Sequence, residues 1–428
     1  PLVPASPSVP ATGPVPWRLV IDDLAVARVE EIWIDSWKWN GNGRVAGSFE
    51  LLPGREARVG PARLGVDSGA LTGRERGEAL GRRFAAEIAC AATAYTEFFR
   101  DLGIADATVA HTVAGCDAAL REWAPHLSAE IDAVAAGAGM PSRSVLLLNS
   151  RTEVLAAELL PVSECSTLVR VPPTRPGLDA PVLSTQTWDW APRLTPDGVM
   201  WRFTTDGGGW VKTFAEPGML AKIGINDRGL AVHFNFLDHI TDTIDGGVPL
   251  HAIVRRILDE ASSVDEAIEL ARSARVGASS VITVVATGPG ECAAAAIEIS
   301  PAGVAAVRPD DDGWLPHTNH FLDPGLAAGE VSEATSTTRG RLAHLQTVMA
   351  SDPSGDLARA VLPDLARLLC GAGEAAAPIC VVEDPTRPPT EQWRTLLTIR
   401  LDPQAGVIHY AEGSPAETGA PGHLPRVF

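Results

Sequence analysis

Hydrophobic and polar residues follow two different rhythms along this chain. Near the start they alternate, as in the segments WRLVIDD, VARVEEIWIDSW and VAGSFELLP, and this period of two predicts strands. From Gly73 the apolar residues recur every three or four positions, which predicts an amphipathic helix. The residues that mark this helix are Leu80, Phe84, Ile88, Ala91 and Tyr95.

Further helices are predicted before residue 160. The pattern fits a second helix over 107–123 and a third over 128–140, in which Ser128 is the expected N-cap and Gly137 lies near the end. The run VLLLNSRTEVLAAELL that follows is apolar and then helical in pattern. Residues 17–160 are therefore predicted to form a mostly helical block behind a few strands.

Short strands return after Cys165. They are predicted in STLVRV, APVLSTQTWDW, VMWRFTT, GWVKTFAE and LAKIGINDRGLAVHFNFL. Two helices follow in VPLHAIVRRILDEASSVDEAIELARSA, then strands in SSVITVVATG, CAAAAIEIS and GVAAVRP. Helical patterns in RGRLAHLQTVMA and GDLARAVLPDLARLLCGAG precede two closing strands in TLLTIRLD and GVIHYAEGSP. This order predicts two sheets with helices packed outside them.

Composition and charge narrow the functional classes. Hydrophobic residues make up 45% of the 428 residues and charged residues 21%, which is typical of a folded chain. With 35 basic and 53 acidic residues the net charge is −18, so nucleic acid and anionic membrane surfaces are disfavoured partners. The proline-rich residues 1–16 lack the features of a signal peptide and are predicted to be a disordered lead-in. No apolar run is long enough to span a membrane.

The six cysteines are spread along the chain without a C-x-x-C pair. This spacing predicts no metal site, and the density is far below that of a disulfide scaffold. We therefore expect a reduced, cytoplasmic protein. His317 and His320 lie three apart without a third ligand, which is a poor arrangement for a metal.

Cys165 raises the main chemical question. A cysteine nucleophile needs a base, and neither histidine nor lysine occurs between Ser163 and Trp190. If the chain is cut immediately before Cys165, the new α-amino group, with a pKa of about 8, lies beside the sulfur and can serve as that base. The alternative is that Cys165 is a small buried hydrophobic residue, which suits the other five cysteines.

Seven short motifs connect the chain to a known family. They are LNSRTEV (148–154), Cys165 followed by Ser166 and Thr167, STQTWDW (184–190), KIGINDRGLAVHFNFL (222–237), AAIEISPAGV (295–304), HTNHF (317–321) and STTRGRL (336–342). In this order they resemble the acyl-coenzyme A:6-aminopenicillanic acid acyltransferase-like family (peptidase family C45), within the N-terminal nucleophile (Ntn) hydrolases. The resemblance runs from about Gly73 to the C-terminus.

The resemblance implies a fold and a maturation step. The fold would be α+β, a four-layer αββα sandwich of Ntn-hydrolase type. The chain would be a zymogen that cuts itself between Glu164 and Cys165, leaving an α part, 17–164, and a β part, 165–428. The family usually has glycine where this chain has Glu164. That carboxylate would either slow the cut or assist it by holding a water.

The resemblance also implies roles for individual residues. Asp189 would orient the amine of the nucleophile, and Arg339 would lie near Cys165, with Arg341 as its competitor. Asn319 and Asn235 would stabilise the oxyanion, unless they merely tie strands together. Arg151 and Glu153 are expected to form a buried ion pair that braces the site.

These implications predict an acyl-transfer reaction, and they leave the identity of the acyl acceptor open. Cys165 would form a thioester and pass the acyl group to an amine or hydroxyl, in bacterial natural-product or peptide metabolism such as antibiotic biosynthesis. The alternatives are an amidohydrolase, if water accepts the acyl group, and an uncleaved binding protein. We expect no cofactor beyond an acyl-coenzyme A or other thioester donor, a small-molecule or peptide substrate, a heterodimer of the two parts, and room for homo-oligomers. The aromatic residues expected to bind the acyl group are Trp188, Trp201, Phe203, Trp210 and Phe214.

Overall fold

The protein is described here from a computed structural model. It covers residues 62–156, 165–172, 181–195, 197–288, 291–331, 336–371, 377–420, 423 and 425–428, and four short strands nearer the start. The chain divides into two units, Pro1–Leu64 and Gly65–Phe428. In the first unit β1 (Leu2–Pro4) pairs with β2 (Trp17–Leu19), and β3 (Lys38–Asn40) pairs with β4 (Arg44–Ala46). Most of the strands predicted over residues 17–53 lie outside the described residues, as does most of the predicted lead-in.

Helices fill the chain from Gly73 to Ala156. They are α1 (Gly73–Arg83), α2 (Ala85–Asp101), α3 (Asp106–Trp123), α4 (Pro125–Ala138), α5 (Ser142–Asn149) and α6 (Arg151–Ala156). A capping box between Thr72 and Glu75 starts α1. The predicted first helix is two helices, because the backbone leaves the helical region at Phe84.

The start of α4 corrects one prediction. Pro125 occupies the first turn, where its fixed φ is favourable, and Ser128 lies buried inside the helix and not at its N-cap. Gly139 ends α4 with a φ of 67°, a conformation that favours glycine. Helix α4 packs closely on α1, since a Cβ at Gly81 would clash with the Val134 carbonyl.

The larger sheet has eight strands in the order β14-β13-β12-β11-β10-β9-β8-β5, and the neighbours from β8 to β14 pair antiparallel. Their bounds are β5 (Ala62–Asp67), β8 (Asp197–Thr204), β9 (Trp210–Ala215), β10 (Ile223–Asn226), β11 (Leu230–Phe236), β12 (Ser280–Gly288), β13 (Glu291–Ser300) and β14 (Gly303–Val307). The smaller sheet has the order β15-β6-β7-β16-β17-β18. Its strands are β6 (Ser166–Arg170), β7 (Leu183–Trp190), β15 (Trp314–His317), β16 (Arg394–Asp402), β17 (Val407–Glu412) and β18 (Arg426–Val427).

Helices cover the outer faces of both sheets. Helices α7 (Leu250–Glu260) and α8 (Val264–Ser273) pack on the eight-stranded sheet. Helices α10 (Thr338–Ala350) and α11 (Leu362–Cys370) pack on the six-stranded sheet. The two sheets contact each other through β6 and β11, so the predicted four-layer αββα sandwich is confirmed.

Two differences from the predicted pattern lie in the last third of the chain. A single helix is predicted over 355–373, but the structure has a short 3-10 turn, Asp356–Arg359, followed by α11. The two elements are separate because the backbone is extended at Ala360 and Val361. Two single-turn helices, α9 (Pro324–Ala327) and α12 (Pro415–Thr418), were not predicted. Among the described helices, none has both the length and the apolar character needed to cross a bilayer.

Candidate active site

Cys165 lies at the entry to β6, between the two sheets. Its side chain is 2% exposed, and its Sγ is 4.0 Å from the main-chain oxygen of Asp189 on the neighbouring strand β7. The pairing of Ser166 with Thr187 fixes this approach, since it sets the register of β6 against β7. Glu164 lies outside the described residues.

Two side chains hold the main-chain carbonyl of Cys165. Asn235 Nδ2 donates to it at 3.1 Å and Arg341 Nη1 at 2.6 Å. The amide of Asn235 is itself oriented, because its Oδ1 accepts hydrogen bonds from Thr167 Oγ1 at 2.7 Å and Gln186 Nε2 at 3.1 Å. In this arrangement Asn235 positions the backbone of Cys165 and joins the two sheets.

The arginine beside the cysteine is Arg341 and not Arg339. Arg341 is fully buried, and besides Cys165 it donates to Asn319 Oδ1 at 3.0 Å and Ser166 Oγ at 3.1 Å. The side chain of Arg339 is 68% exposed and pairs with Glu330 at 2.9 Å. Residues two apart on a helix point in different directions, so only one of the two can face the sheet. The predicted location of Arg339 is therefore wrong.

Asn319 is held on a well-braced loop after β15. Its Nδ2 donates to the Phe236 carbonyl at 2.9 Å, so the amide of Asn319 is already hydrogen-bonded. Behind it, the buried carboxylate of Glu298 binds His317 Nε2 at 2.8 Å and the Leu322 amide at 2.6 Å. His317 is thus a structural residue, and no group of three or more potential metal ligands occurs in the described part of the chain.

Asp189 is fully buried on β7, where it pairs with Thr395 of β16. The pairing of β7 with β16 shifts register between Thr395 and Leu397, which is a local bulge. Bulges are common next to active sites because they re-aim side chains. The neighbouring residues Trp188 and Trp190 both line a cavity that Cys165 also lines.

This cavity has room for about one water molecule. It is lined by Arg151, Thr152, Cys165, Trp188, Trp190, Lys222, Phe234 and Phe236. Of the five aromatic residues expected to bind an acyl group, only Trp188 is in this set. Phe214 packs behind Trp188 with 5.1 Å between ring centroids.

The other three aromatic residues lie elsewhere. Trp201 packs on Phe203 with 4.6 Å between centroids, and Arg255 lies 4.1 Å from the Phe203 ring. Trp210 is half-buried and stacks with Lys212. These side chains belong to the packing of β8 and β9 and do not line the Cys165 cavity. The cavity therefore does not support their predicted role in acyl binding.

Arg151 and Lys222, which line the cavity, belong to a cluster of buried polar and charged side chains. We call Tyr95, Arg151, Glu216 and Lys222 the cavity cluster. Glu216 Oε1 accepts from Arg151 Nη2 at 2.7 Å and from Lys222 Nζ at 2.5 Å, while Glu216 Oε2 accepts from Tyr95 Oη at 3.1 Å. The two cations also stack on indoles, since Lys222 Nζ lies 4.0 Å from the Trp188 centroid.

One carboxylate serves two cations in the cavity cluster. Burial opposes the ionisation of Glu216, but Arg151 and Lys222 lower its pKa below the ordinary value. Burial and the charge of Arg151 lower the pKa of Lys222 to about 7. Nε and Nη1 of Arg151 are buried and have no hydrogen-bond partner among the described residues. Lys222 can therefore change its protonation state near neutral pH beside Cys165.

The expected ion pair between Arg151 and Glu153 is wrong. Arg151 pairs with Glu216, and Glu153 Oε1 instead accepts the Leu250 amide at 2.7 Å. Burial raises the pKa of Glu153 to about 7. The sequence did contain a signal for the missed residues, because Glu216 and Lys222 are charged positions enclosed by the apolar strands β9 and β10.

Comparison with solved structures gives matches of low sequence identity and low TM-score. The chain is similar to the conjugated bile acid hydrolase of Clostridium perfringens, with 13% identity and a TM-score of 0.38 over 62% of this chain and 96% of that one. It is similar to the penicillin V acylase of Agrobacterium tumefaciens, with 14% identity and a TM-score of 0.34 over 62% and 85%. A Caenorhabditis elegans N-acylethanolamine-hydrolyzing acid amidase ortholog matches with 11% identity and a TM-score of 0.38 over 60% and 95%.

The sequence comparisons are more specific. The acyl-coenzyme A:6-aminopenicillanic-acid-acyltransferase 40 kDa form of Emericella nidulans is 28% identical over 228 residues. That match covers 53% of this chain and 60% of the relative. The sequence profile described as acyl-coenzyme A:6-aminopenicillanic acid acyl-transferase matches residues 179–417, which is more than half of the chain. The chain therefore belongs to the acyl-coenzyme A:6-aminopenicillanic acid acyl-transferase family of enzymes.

Proposed function

We propose that the protein is a self-processing acyl-transferring enzyme whose nucleophile is Cys165. The observation that carries the proposal is the placement of Cys165 at the start of β6, with its carbonyl held by Asn235 and Arg341. One of these two donors is a buried guanidinium, so a charge-assisted hydrogen bond fixes the backbone that carries the thiol. Membership of an acyltransferase family supplies the reaction class.

Maturation would begin with the bond between Glu164 and Cys165. The Cys165 sulfur attacks the Glu164 carbonyl, and the amide nitrogen leaves with a proton, so the chain shifts from an amide to a thioester. Water then hydrolyses the thioester and releases Cys165 with a free α-amine. Before the cut no such amine exists, and Lys222, whose pKa is lowered to about 7, lines the same cavity and can accept the thiol proton.

Acyl transfer would use the amine that the cut creates. The α-amine takes the thiol proton, the sulfur attacks the acyl carbonyl, and the leaving group departs to give a thioester on Cys165. Asp189 orients the amine, and Asn319 with main-chain N–H groups stabilises the oxyanion. Asn319 Nδ2 donates one of its two protons to the Phe236 carbonyl, and its second N–H is the donor that would bind the substrate oxygen.

The acyl group would then pass to an amine or hydroxyl of a small molecule or peptide. An acyl-coenzyme A or another thioester is the donor expected from the family. Bacterial natural-product or peptide metabolism is the proposed setting of the reaction. The cavity beside Cys165 holds about one water, so an acyl chain enters only when part of the lining moves, and the wall formed by Arg151 and Thr152 is the part that we propose to move. Release of that wall from the covalent chain by the cut provides such a movement, with the two parts remaining together as a heterodimer.

Intact mass spectrometry of the purified protein tests the proposal. The protein is measured before and after incubation with a panel of acyl donors, followed by addition of amine acceptors. We expect one acyl group on the fragment that begins at Cys165, absent from Cys165→Ala, and its loss to the acceptor. Loss at the same rate in buffer alone would favour an amidohydrolase. A chain that stays uncut and unlabelled would favour the binding-protein alternative.

A further inference from the structure

Cys370 and Cys380 meet on the far side of the six-stranded sheet. Their sulfur atoms are 3.5 Å apart, while a disulfide needs about 2.05 Å, so closing the bond takes a movement of about 1.5 Å. Cys380 is buried in the core under α11, and Cys370 packs against the same core while remaining half-exposed. Neither residue takes part in the site around Cys165.

The backbone on both sides of this contact is anchored. Cys370 is the last residue of α11, and Gly371 ends the helix with a φ of 71°. His344 of α10 binds the Leu369 carbonyl at the same helix end. On the other side, the Cys380 amide donates to the Ala377 carbonyl at 2.8 Å. The two sulfur atoms are thus held in proximity by fixed elements.

The segment that carries Cys380 is joined to the strand facing Asp189. The Val381 amide donates to Thr395 Oγ1 at 3.1 Å, and the Thr395 amide donates to the Val381 carbonyl at 3.0 Å. Thr395 pairs with Asp189 across β16 and β7. A covalent link at Cys380 therefore fixes α11 to the backbone opposite the candidate catalytic aspartate.

We propose that Cys370 and Cys380 are a redox modification site that closes as a reversible disulfide in the presence of a low-molecular-weight disulfide. The thiolate of Cys370 attacks one sulfur of the oxidant and releases one thiolate. Cys380 then loses its proton and attacks the Cys370 sulfur of the mixed disulfide, and the second thiolate leaves. Two protein thiols are oxidised and one small disulfide is reduced to two thiols.

The order of attack follows from the environment of the two thiols. Cys370 is the accessible one, and the hydrogen bond with Cys380 lowers its pKa, so its thiolate forms first. The same contact and burial raise the pKa of Cys380, which suits a resolving thiol that reacts only after the mixed disulfide has formed.

Incubation with oxidised glutathione followed by non-reducing peptide mapping tests the proposal. We expect a cross-linked Cys370–Cys380 peptide, about 2 Da lighter than the two thiol peptides, and a melting temperature raised by about 2 °C or more until dithiothreitol is added. The exposed Cys90 is the internal control, because it should keep glutathione as a mixed disulfide.

The variant Cys370→Ser separates the proposal from general oxidation. It should form no cross-link, leave Cys380 as a free thiol and show no rise in melting temperature with oxidised glutathione. Glutathione retained on Cys370 of the native protein, with Cys380 still free, would overturn the proposal. A cross-link with an unchanged melting temperature would overturn the anchoring of α11.

Discussion

Two buried charge clusters in this protein contain similar residues but differ in their balance of charge and in how fully their hydrogen bonds are satisfied. The scaffold cluster consists of Arg76, Glu130, Arg255 and Asp259. Glu130 accepts two hydrogen bonds from each arginine, at 2.7–3.0 Å, and Arg255 Nε also binds Asp259 at 2.9 Å. Two cations face two carboxylates, and the cluster joins α1, α4 and α7.

The cavity cluster has a less even balance of charge, because two cationic side chains share one carboxylate. Arg151 and Lys222 share one oxygen of Glu216, and two nitrogens of Arg151 have no hydrogen-bond partner among the described residues. A satisfied buried network stabilises a fold, whereas an incompletely satisfied one beside a cavity is typical of a functional site. From this difference we infer that the scaffold cluster serves stability, and we propose that the cavity cluster serves the chemistry at Cys165.

Breaking the scaffold cluster should have the largest effect, and on stability alone. Glu130→Gln leaves two buried arginines without their full counter-charge, which should lower the free energy of unfolding by about 3–5 kcal/mol. Urea denaturation measures the loss. Single-turnover acylation of Cys165, corrected for the folded fraction, should stay within about twofold of native, and a tenfold slower rate in the folded fraction would erase the proposed division.

Asp189→Asn should have the next largest effect, and on chemistry alone. The side chain keeps its shape but loses the charge that orients the α-amine, so turnover should fall by two or more orders of magnitude, on the order of 3 kcal/mol. The measurement is thermal melting alongside single-turnover acylation read by mass. Native melting together with a native acylation rate would make Asp189 a packing residue.

Arg341 and Arg339 provide a matched pair of substitutions on one helix. Arg341→Lys loses the fork that binds Cys165 and Asn319 together, so acylation should slow by about 10–100-fold, as expected for charge-assisted hydrogen bonds of about 1.5–3 kcal/mol. Arg339→Lys should be close to native, because that side chain faces solvent. Equal effects of the two variants would contradict the assignment of Arg341.

The titration of Lys222 should appear in the pH dependence of the free energy of unfolding. Its pKa is about 7 in the fold and about 10.4 in the unfolded chain, so between these values the unfolded state binds more protons and stability rises with pH. Native protein should therefore gain stability over Lys222→Met from pH 7 to pH 10, by at most about 1.4 kcal/mol per pH unit. Parallel curves for the two proteins in urea denaturation would show that Lys222 does not titrate there.

The layer architecture of the fold could be predicted from the sequence, but the bounds of every helix and strand could not. The alternating and helical patterns are local, and they predicted the helices α7 and α8 and most strands of both sheets, but not β5, β15 or β18. The early start of α4 has a local signal that hydrophobic periodicity does not weigh, since proline is favoured in the first turn of a helix. The break at Phe84 has neither proline nor glycine at that position to mark it. The pairing order of the two sheets depends on contacts between distant segments.

The candidate site divides in the same way. The motifs pointed to Cys165, Asp189 and Asn319, because each lies in a short run of characteristic residues. They could not distinguish Arg341 from Arg339, since the choice depends on how α10 is rotated against the sheet. They also missed Lys222 and Glu216, whose importance lies in their burial and in the partner that they share.

The mass of the purified protein decides whether the chain cuts itself before Cys165. The intact chain is 44.9 kDa, and we expect it to separate under denaturing conditions into two fragments, one of which begins at Cys165. Cys165→Ala, purified in parallel, should remain a single chain. A native chain that stays uncut after long incubation, or a Cys165→Ala chain cut at the same bond, would contradict the account.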